Sequence, residues 1–125
     1  MKEIKTDKAP QAVGPYSQAV VSDGFLFCSG QIPLHPETGE LVQGDIKVQT
    51  KQVLENMKNI LGAAELDMGN IVRVEIYLVN IDDFKEVNEV YETFFNHSLQ
   101  PARVTIGVAA LPKGASVEMS CIAKK

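Results

Sequence analysis

Residues 102–123 read ARVTIGVAALPKGASVEMSCIA, two alternating runs, 102–109 and 116–123, joined by a Leu-Pro-Lys-Gly turn. Val104, Ile106 and Val108 share one face of the first run, and Val117, Met119 and Cys121 share one face of the second. Taken as a hairpin, these apolar sets face each other, with Val104 opposite Cys121, Ile106 opposite Met119 and Val108 opposite Val117. The reverse face then carries Arg103, Thr105 and Gly107 against Ile122, Ser120 and Glu118. Arg103 and Glu118 would lie about 13 Å apart on that face, at a strand rise of ~3.3 Å per residue. Within one chain that is too far for a salt bridge.

Working outward, residues 71–79, IVRVEIYLV, alternate so that Val72, Val74, Ile76 and Leu78 face one way and Arg73, Glu75 and Tyr77 the other. Between this strand and the 102–109 run, Asp82 or Asp83 caps a helix with a stripe of Phe84, Val87, Tyr91 and Phe94, ending near Asn96-His97-Ser98. Upstream, Asp45 caps a helix over 46–65, where Val53, Leu54, Met57, Ile60, Leu61 and Ala64 recur at helical spacing. The runs 19–21 and 25–30, separated by Ser22-Asp23-Gly24, form a hairpin, and 33–44 is a loop with a short extended piece at Leu41-Val42. The order β-β-α-β-α-β-β gives an α+β fold, a mixed sheet with two helices on one face. The other face, holding Arg73, Glu75, Tyr77, Arg103, Thr105, Glu118 and Ser120, is too polar for an intrachain core. It is expected to be a subunit interface at which Arg103 of one chain approaches polar groups of another.

At 125 residues the chain has the size of one domain, 1–125, and its 45% hydrophobic and 22% charged residues are ordinary globular usage. Acidic residues outnumber basic ones 16 to 12, and the net charge of −4 disfavours a nucleic-acid partner. The opening MKEIKTDKAPQAVG has no apolar signal core, and no stretch approaches the ~18 apolar residues of a membrane span. A soluble, cytoplasmic protein without a membrane partner is expected. Cys28 and Cys121 lack CxxC spacing and read as buried free thiols. His35 and His97 stand in no metal-ligand pattern, so no metal site is expected. Dinucleotide, P-loop and nucleophile-elbow motifs are all missing.

Four features carry chemistry. Gly14-Pro15-Tyr16-Ser17 is either a rigid turn or part of a pocket. Arg103, in a small, apolar strand, either pairs with Glu75 or Glu118 or offers its fork to a carboxylate ligand. Glu118, between Val117 and Met119, is either an interface ion-pair partner or a desolvated carboxyl suited to proton transfer. Ser29-Gly30 ends a strand, where it either begins the loop or lines a pocket with a hydroxyl and free amides.

GPYSQAV at 14–20, SGQIP at 29–33, NEVY at 88–91 and PARVTIGVAALPKGASVEM at 101–119, in this order and spacing, resemble the RidA/YjgF family of reactive intermediate deaminases. The resemblance implies a chorismate-mutase-like fold and a homotrimer with helices outside, sheets inside and clefts between subunits. It also implies hydrolysis of 2-iminopropanoate and 2-iminobutanoate, products of pyridoxal-phosphate dehydratases acting on serine and threonine, to 2-oxo acids and ammonia. No metal or organic cofactor is implied. The family's carboxylate-binding arginine falls on Arg103, its acidic residue on Glu118, its pocket tyrosine on Tyr16 and its pocket serine on Ser29, while Asn88 matches a position near the cleft. Many members carry a cysteine two residues after the arginine. Thr105 stands there instead, so its hydroxyl and backbone can line the site but no thiolate can act. Members resembling this family are also described as endoribonucleases or translation inhibitors, a reading opposed by the net charge and the two scattered histidines. A third reading is a regulatory trimer that binds a metabolite without turnover.

Overall fold

Asp45 ends the 33–44 loop and starts a helix: its Oδ1 accepts from the Val48 N–H at 3.0 Å, satisfying one of the free donors of the first turn. The computed structural model describes residues 1–125 and places this helix, α1, at Ile46–Ala63. The expected stripe is buried, with Val53, Leu54, Met57, Ile60 and Leu61 fully enclosed. The second helix, α2, spans Phe84–Phe94. It buries Val87 and Tyr91, joined by Phe95 just beyond its end, while Phe84 stays exposed and Phe94 half-buried. Neither Asp82 nor Asp83 caps it through a side chain. Asn80 instead accepts from the Asp82 N–H at 3.0 Å and caps a 3₁₀ turn, Ile81–Asp83, that leads into the helix.

The strands are β1 Lys2–Ile4, β2 Ala19–Ser22, β3 Phe25–Gln31, β4 Ile71–Leu78, β5 Ala102–Gly107 and β6 Val117–Lys124. They form one mixed sheet in the order β1-β2-β3-β6-β4-β5. The expected order of elements holds, preceded by β1, whose three residues are too few to show alternation. The β2–β3 hairpin forms as expected, and the extended piece in the loop pairs Leu41 with Leu34.

The expected hairpin of β5 and β6 does not form. β4 lies between them, parallel to β5 and antiparallel to β6. Two physical reasons decide this. The β4-α2-β5 segment provides the helical crossover that parallel neighbours need. The connection 108–116 is also too long for a tight turn, and it carries the chain across β4 to a central slot. In that slot Val117, Met119, Cys121 and Ala123 of β6 are buried against the helices. β5 is left at the sheet margin.

The parallel pairing with β4 reverses the faces expected for β5. Directly paired residues of parallel strands share a face, and Arg103, Thr105 and Gly107 pair with Val74, Ile76 and Leu78, which point to the helices and are buried. Arg103 and Thr105 therefore lie on the helix side, while Val104 and Ile106 face away. The far face keeps Glu75 beside Ser120 and Tyr77 beside Glu118. Val72 also departs from expectation. A register shift between Ile71 and Arg73 leaves it exposed and lets Ile71 fill the core.

Cys28 and Cys121 are free and buried as expected, directly opposite each other on β3 and β6. The Cys121 thiol is pushed well up, first by its hydrogen bond with Cys28 and then by burial. No helix is long and apolar enough to cross a membrane.

Candidate functional site

The first half of the site is organised by a buried amide. Gln18 Oε1 accepts from the Thr6 N–H at 2.8 Å, and Gln18 Nε2 donates to the carbonyls of Thr6 at 3.0 Å and Pro10 at 2.8 Å. This ties the segment before the GPYS turn to the start of β2. On the other side of the turn, Ser29 Oγ donates to the Ser17 carbonyl at 2.6 Å and the Ser29 N–H to the Gln18 carbonyl at 2.9 Å. The Ser29 hydroxyl proton is thus committed to holding the turn, and toward a ligand this oxygen can act only as an acceptor. Between these anchors Gly14 adopts φ +134°, which favours glycine, and the Tyr16 N–H donates to its carbonyl at 2.9 Å. Tyr16 itself projects outward, 53% exposed.

Glu118 completes this half from β6. A Cβ at position 30 would collide with Glu118 Oε2, so the absence of a side chain at Gly30 is what admits the carboxyl. Glu118 forms no ion pair within the chain, and burial raises its pKa above the usual carboxylate value. Tyr16, Ser29, Gly30, Gln31, Lys113 and Glu118 line one hollow of about 870 Å³. Lys113 stands at its rim in the left-handed region, φ 58°, with Nζ donating to the Gly39 carbonyl at 3.2 Å.

The second half lies on the helix side of the sheet. Arg103 Nη1 donates to Asn88 Oδ1 at 2.7 Å. Its guanidinium carbon stands 4.9 Å from the Tyr91 ring centroid and 5.4 Å from that of Phe84. Asn88, Tyr91, Glu92, Gln100, Pro101 and Arg103 enclose a hollow of about 440 Å³. Burial pushes the Tyr91 phenol up to about 12 against the opposing pull of Arg103. Two buried hydroxyls, those of Tyr91 and Thr105, have no hydrogen-bond partner; Thr105 lies two residues along β5 on the same face as Arg103.

The six residues singled out from the sequence thus fall into two sets. Tyr16, Ser29 and Glu118 share one hollow, and Arg103, Asn88 and Thr105 stand together on the opposite face. Within the chain Arg103 pairs with neither Glu118, as expected, nor Glu75, the alternative partner; Glu75 instead accepts from Ser120 Oγ at 3.1 Å and from the Tyr77 hydroxyl at 3.3 Å. Sequence reasoning overlooked Gln18, and it counted Phe84 and Tyr91 only as core. The i, i+4, i+7 spacing of Phe84, Asn88 and Tyr91, one helix face, was the available signal. Another hollow of about 870 Å³ lies along α1 and α2, lined by Lys47, Lys51 and Glu89 among others. It holds none of these six residues.

Chemically, the first set offers a proton-active carboxyl and an aromatic wall, and the second an oriented cation. The Endoribonuclease L-PSP family model matches residues 6–125. A RutC family protein of Pyrococcus abyssi is 51% identical over 122 residues, covering 98% of this chain and 95% of that one. The 2-iminobutanoate/2-iminopropanoate deaminase of Mus musculus is 48% identical over 122 residues, covering 98% and 90% respectively. The crystal structure of E. coli TdcF with bound serine superposes with a TM-score of 0.95 at 40% identity, covering 100% of this chain and 99% of that one. By sequence along nearly its whole length and by fold, the chain belongs to the Endoribonuclease L-PSP family, which takes in the RutC and Rid proteins.

Proposed function

We propose that the protein is a cytoplasmic enzyme that hydrolyses 2-imino acids of the 2-iminopropanoate and 2-iminobutanoate class to 2-oxo acids and ammonia. In this proposal it works as a homotrimer, and each site joins Arg103 of one chain to the Tyr16, Ser29 and Glu118 hollow of a neighbour. The observation that carries the reading is that Arg103 and Glu118 each lack a charged partner in their own chain and occupy opposite faces of one sheet. Two such groups can meet across a subunit seam. The name of the mouse relative supports the reaction, and serine bound to TdcF supports a site for small amino-acid-like molecules.

The mechanism follows from charge. Arg103 grips the substrate carboxylate by its fork, which fixes the neighbouring C=N carbon against Tyr16 and Ser29. A protonated imine is already electrophilic, so no side-chain nucleophile or Lewis acid is required. Glu118, as the carboxylate, takes a proton from water while the water oxygen bonds to that carbon. It then returns that proton to nitrogen, takes the hydroxyl proton as the C–N bond breaks and the C=O bond forms, and passes it to the departing amine, so that ammonium and the 2-oxo acid leave. Thr105 lines the Arg103 side with a hydroxyl that has no partner in the chain.

A threonine dehydratase coupled to the purified protein, with semicarbazide trapping residual imine, tests the proposal. The protein should lower trapped imine, and Arg103→Ala should abolish the effect. RNA cleavage that survives purification, without imine hydrolysis, would favour the family's ribonuclease description instead. Binding of a 2-oxo acid with no acceleration of hydrolysis would favour a regulatory trimer.

A further inference from the structure

Arg103 is held entirely by uncharged groups. Phe84, Asn88 and Tyr91, on one face of α2, all contact its guanidinium: an amide oxygen at 2.7 Å and two rings at 5.4 and 4.9 Å. No carboxylate of the same chain lies within ion-pair distance, and Glu92, lining the same hollow, forms no salt bridge. Tyr91 is a rigid part of this cradle, buried and stacked on Phe95 at 4.2 Å between centroids.

An arginine fixed by a carboxylate is oriented and neutralised together. An amide oxygen and π faces orient the guanidinium and leave its charge whole. We propose that Phe84 and Tyr91, with Asn88, are positioning residues that hold Arg103 as a cation its own chain does not neutralise. The neutrality of the cradle, beyond its grip, then sets the affinity for the ligand carboxylate. This rests on Arg103 being the carboxylate clamp described above.

Asn88→Asp separates grip from neutrality. Aspartate keeps the size and the acceptor oxygen, so a residue that only braces Arg103 is served as well by it, whereas a neutral cradle is spoiled by it. The probe is 2-oxobutanoate, the stable carboxylate product, titrated calorimetrically into the assembled protein. Asn88→Asp should bind it about tenfold or more weaker than wild type, and weaker than Asn88→Ala. In imine hydrolysis, KM should rise more than kcat falls. Phe84→Leu, at an exposed side chain outside the core, should weaken binding by about threefold, and Phe84→Tyr should restore it. This pair carries the test should Asn88→Asp fail to fold. Asn88→Asp binding as tightly as Asn88→Ala, or Phe84→Leu binding like wild type, overturns the proposal. So does a wild-type protein with no affinity for 2-oxobutanoate. The predicted order of affinities in a protein that does not hydrolyse imines would uphold the cradle and refute the deaminase reading.

Discussion

Arg103 and Glu118 stand on opposite faces of the same sheet, Arg103 level with Val74 on the helix side and Glu118 level with Tyr77 on the far side. One chain cannot aim both at one small molecule. The separation makes assembly a chemical requirement of the proposed reaction, and it can be tested by mixing chains.

Chains carrying Arg103→Ala and chains carrying Glu118→Ala should each be inactive alone. Reassembled from equal amounts, they should recover about one quarter of wild-type activity, because each seam has an even chance of drawing either intact half. The coupled dehydratase assay reads this directly. A mixture as inactive as its components refutes the shared site.

Burial raises the Glu118 pKa from its ordinary 4.5. The folded protein therefore binds this proton more tightly than the unfolded chain, and stability attached to it is present at low pH and lost as pH rises through the raised value. Glu118→Gln removes that dependence. Its melting temperature should exceed that of wild type at pH near 7, with the gap closing toward and below 4.5. Melting curves across this range check the sign; a wild type that gains on the variant as pH rises contradicts it.

Gly30→Ala places a methyl where the Glu118 carboxyl sits, but its closest neighbours are the tip of a flexible side chain. The fold should survive and the carboxyl should move. Imine hydrolysis should fall by about tenfold or more in kcat/KM, roughly 1.4 kcal/mol of transition-state stabilisation. Because Glu118→Ala is itself inactive, the coupling is read from stability: the melting-temperature loss that Gly30→Ala causes in wild type should almost vanish in a Glu118→Ala background, because the two act through one contact. Equal losses in both backgrounds would separate Gly30 from Glu118.

The Tyr91 hydroxyl is buried without a partner. Tyr91→Phe keeps the ring over Arg103 and removes the orphaned group, so it should be neutral or stabilising by up to about 1 kcal/mol. A denaturant titration checks this. A loss of more than about 1 kcal/mol would show that the hydroxyl is hydrogen-bonded in the assembled protein.

The helices and most strands were legible because their signals are local. Val53, Met57 and Ile60 declare a buried helix face through spacing alone, and Asp45 marks its start. Strand neighbours are decided at long range. The runs containing Val104 and Val117 both alternate, which suits a hairpin as well as two strands separated by β4; the long connection and the intervening α2 were the deciding features. Pairing β5 with β4 rather than β6 is what places Arg103 and Thr105 on the helix side. In the candidate site, Tyr16, Ser29, Arg103 and Glu118 were named through the motifs that carry the family resemblance. The grip on Arg103 was hidden because Phe84 and Tyr91 also satisfy an apolar stripe, and Gln18 carries no signal beyond an ordinary polar residue until its bonds to Thr6 and Pro10 are seen.

β5 has only β4 for a neighbour, and none of its residues is fully buried. Amide hydrogens there should exchange with solvent sooner than those of β6, which is enclosed between two strands. In a separated chain, warming would fray the strand bearing the cation while the interior remained intact, so the order of this strand would rest on the seam the proposed trimer builds.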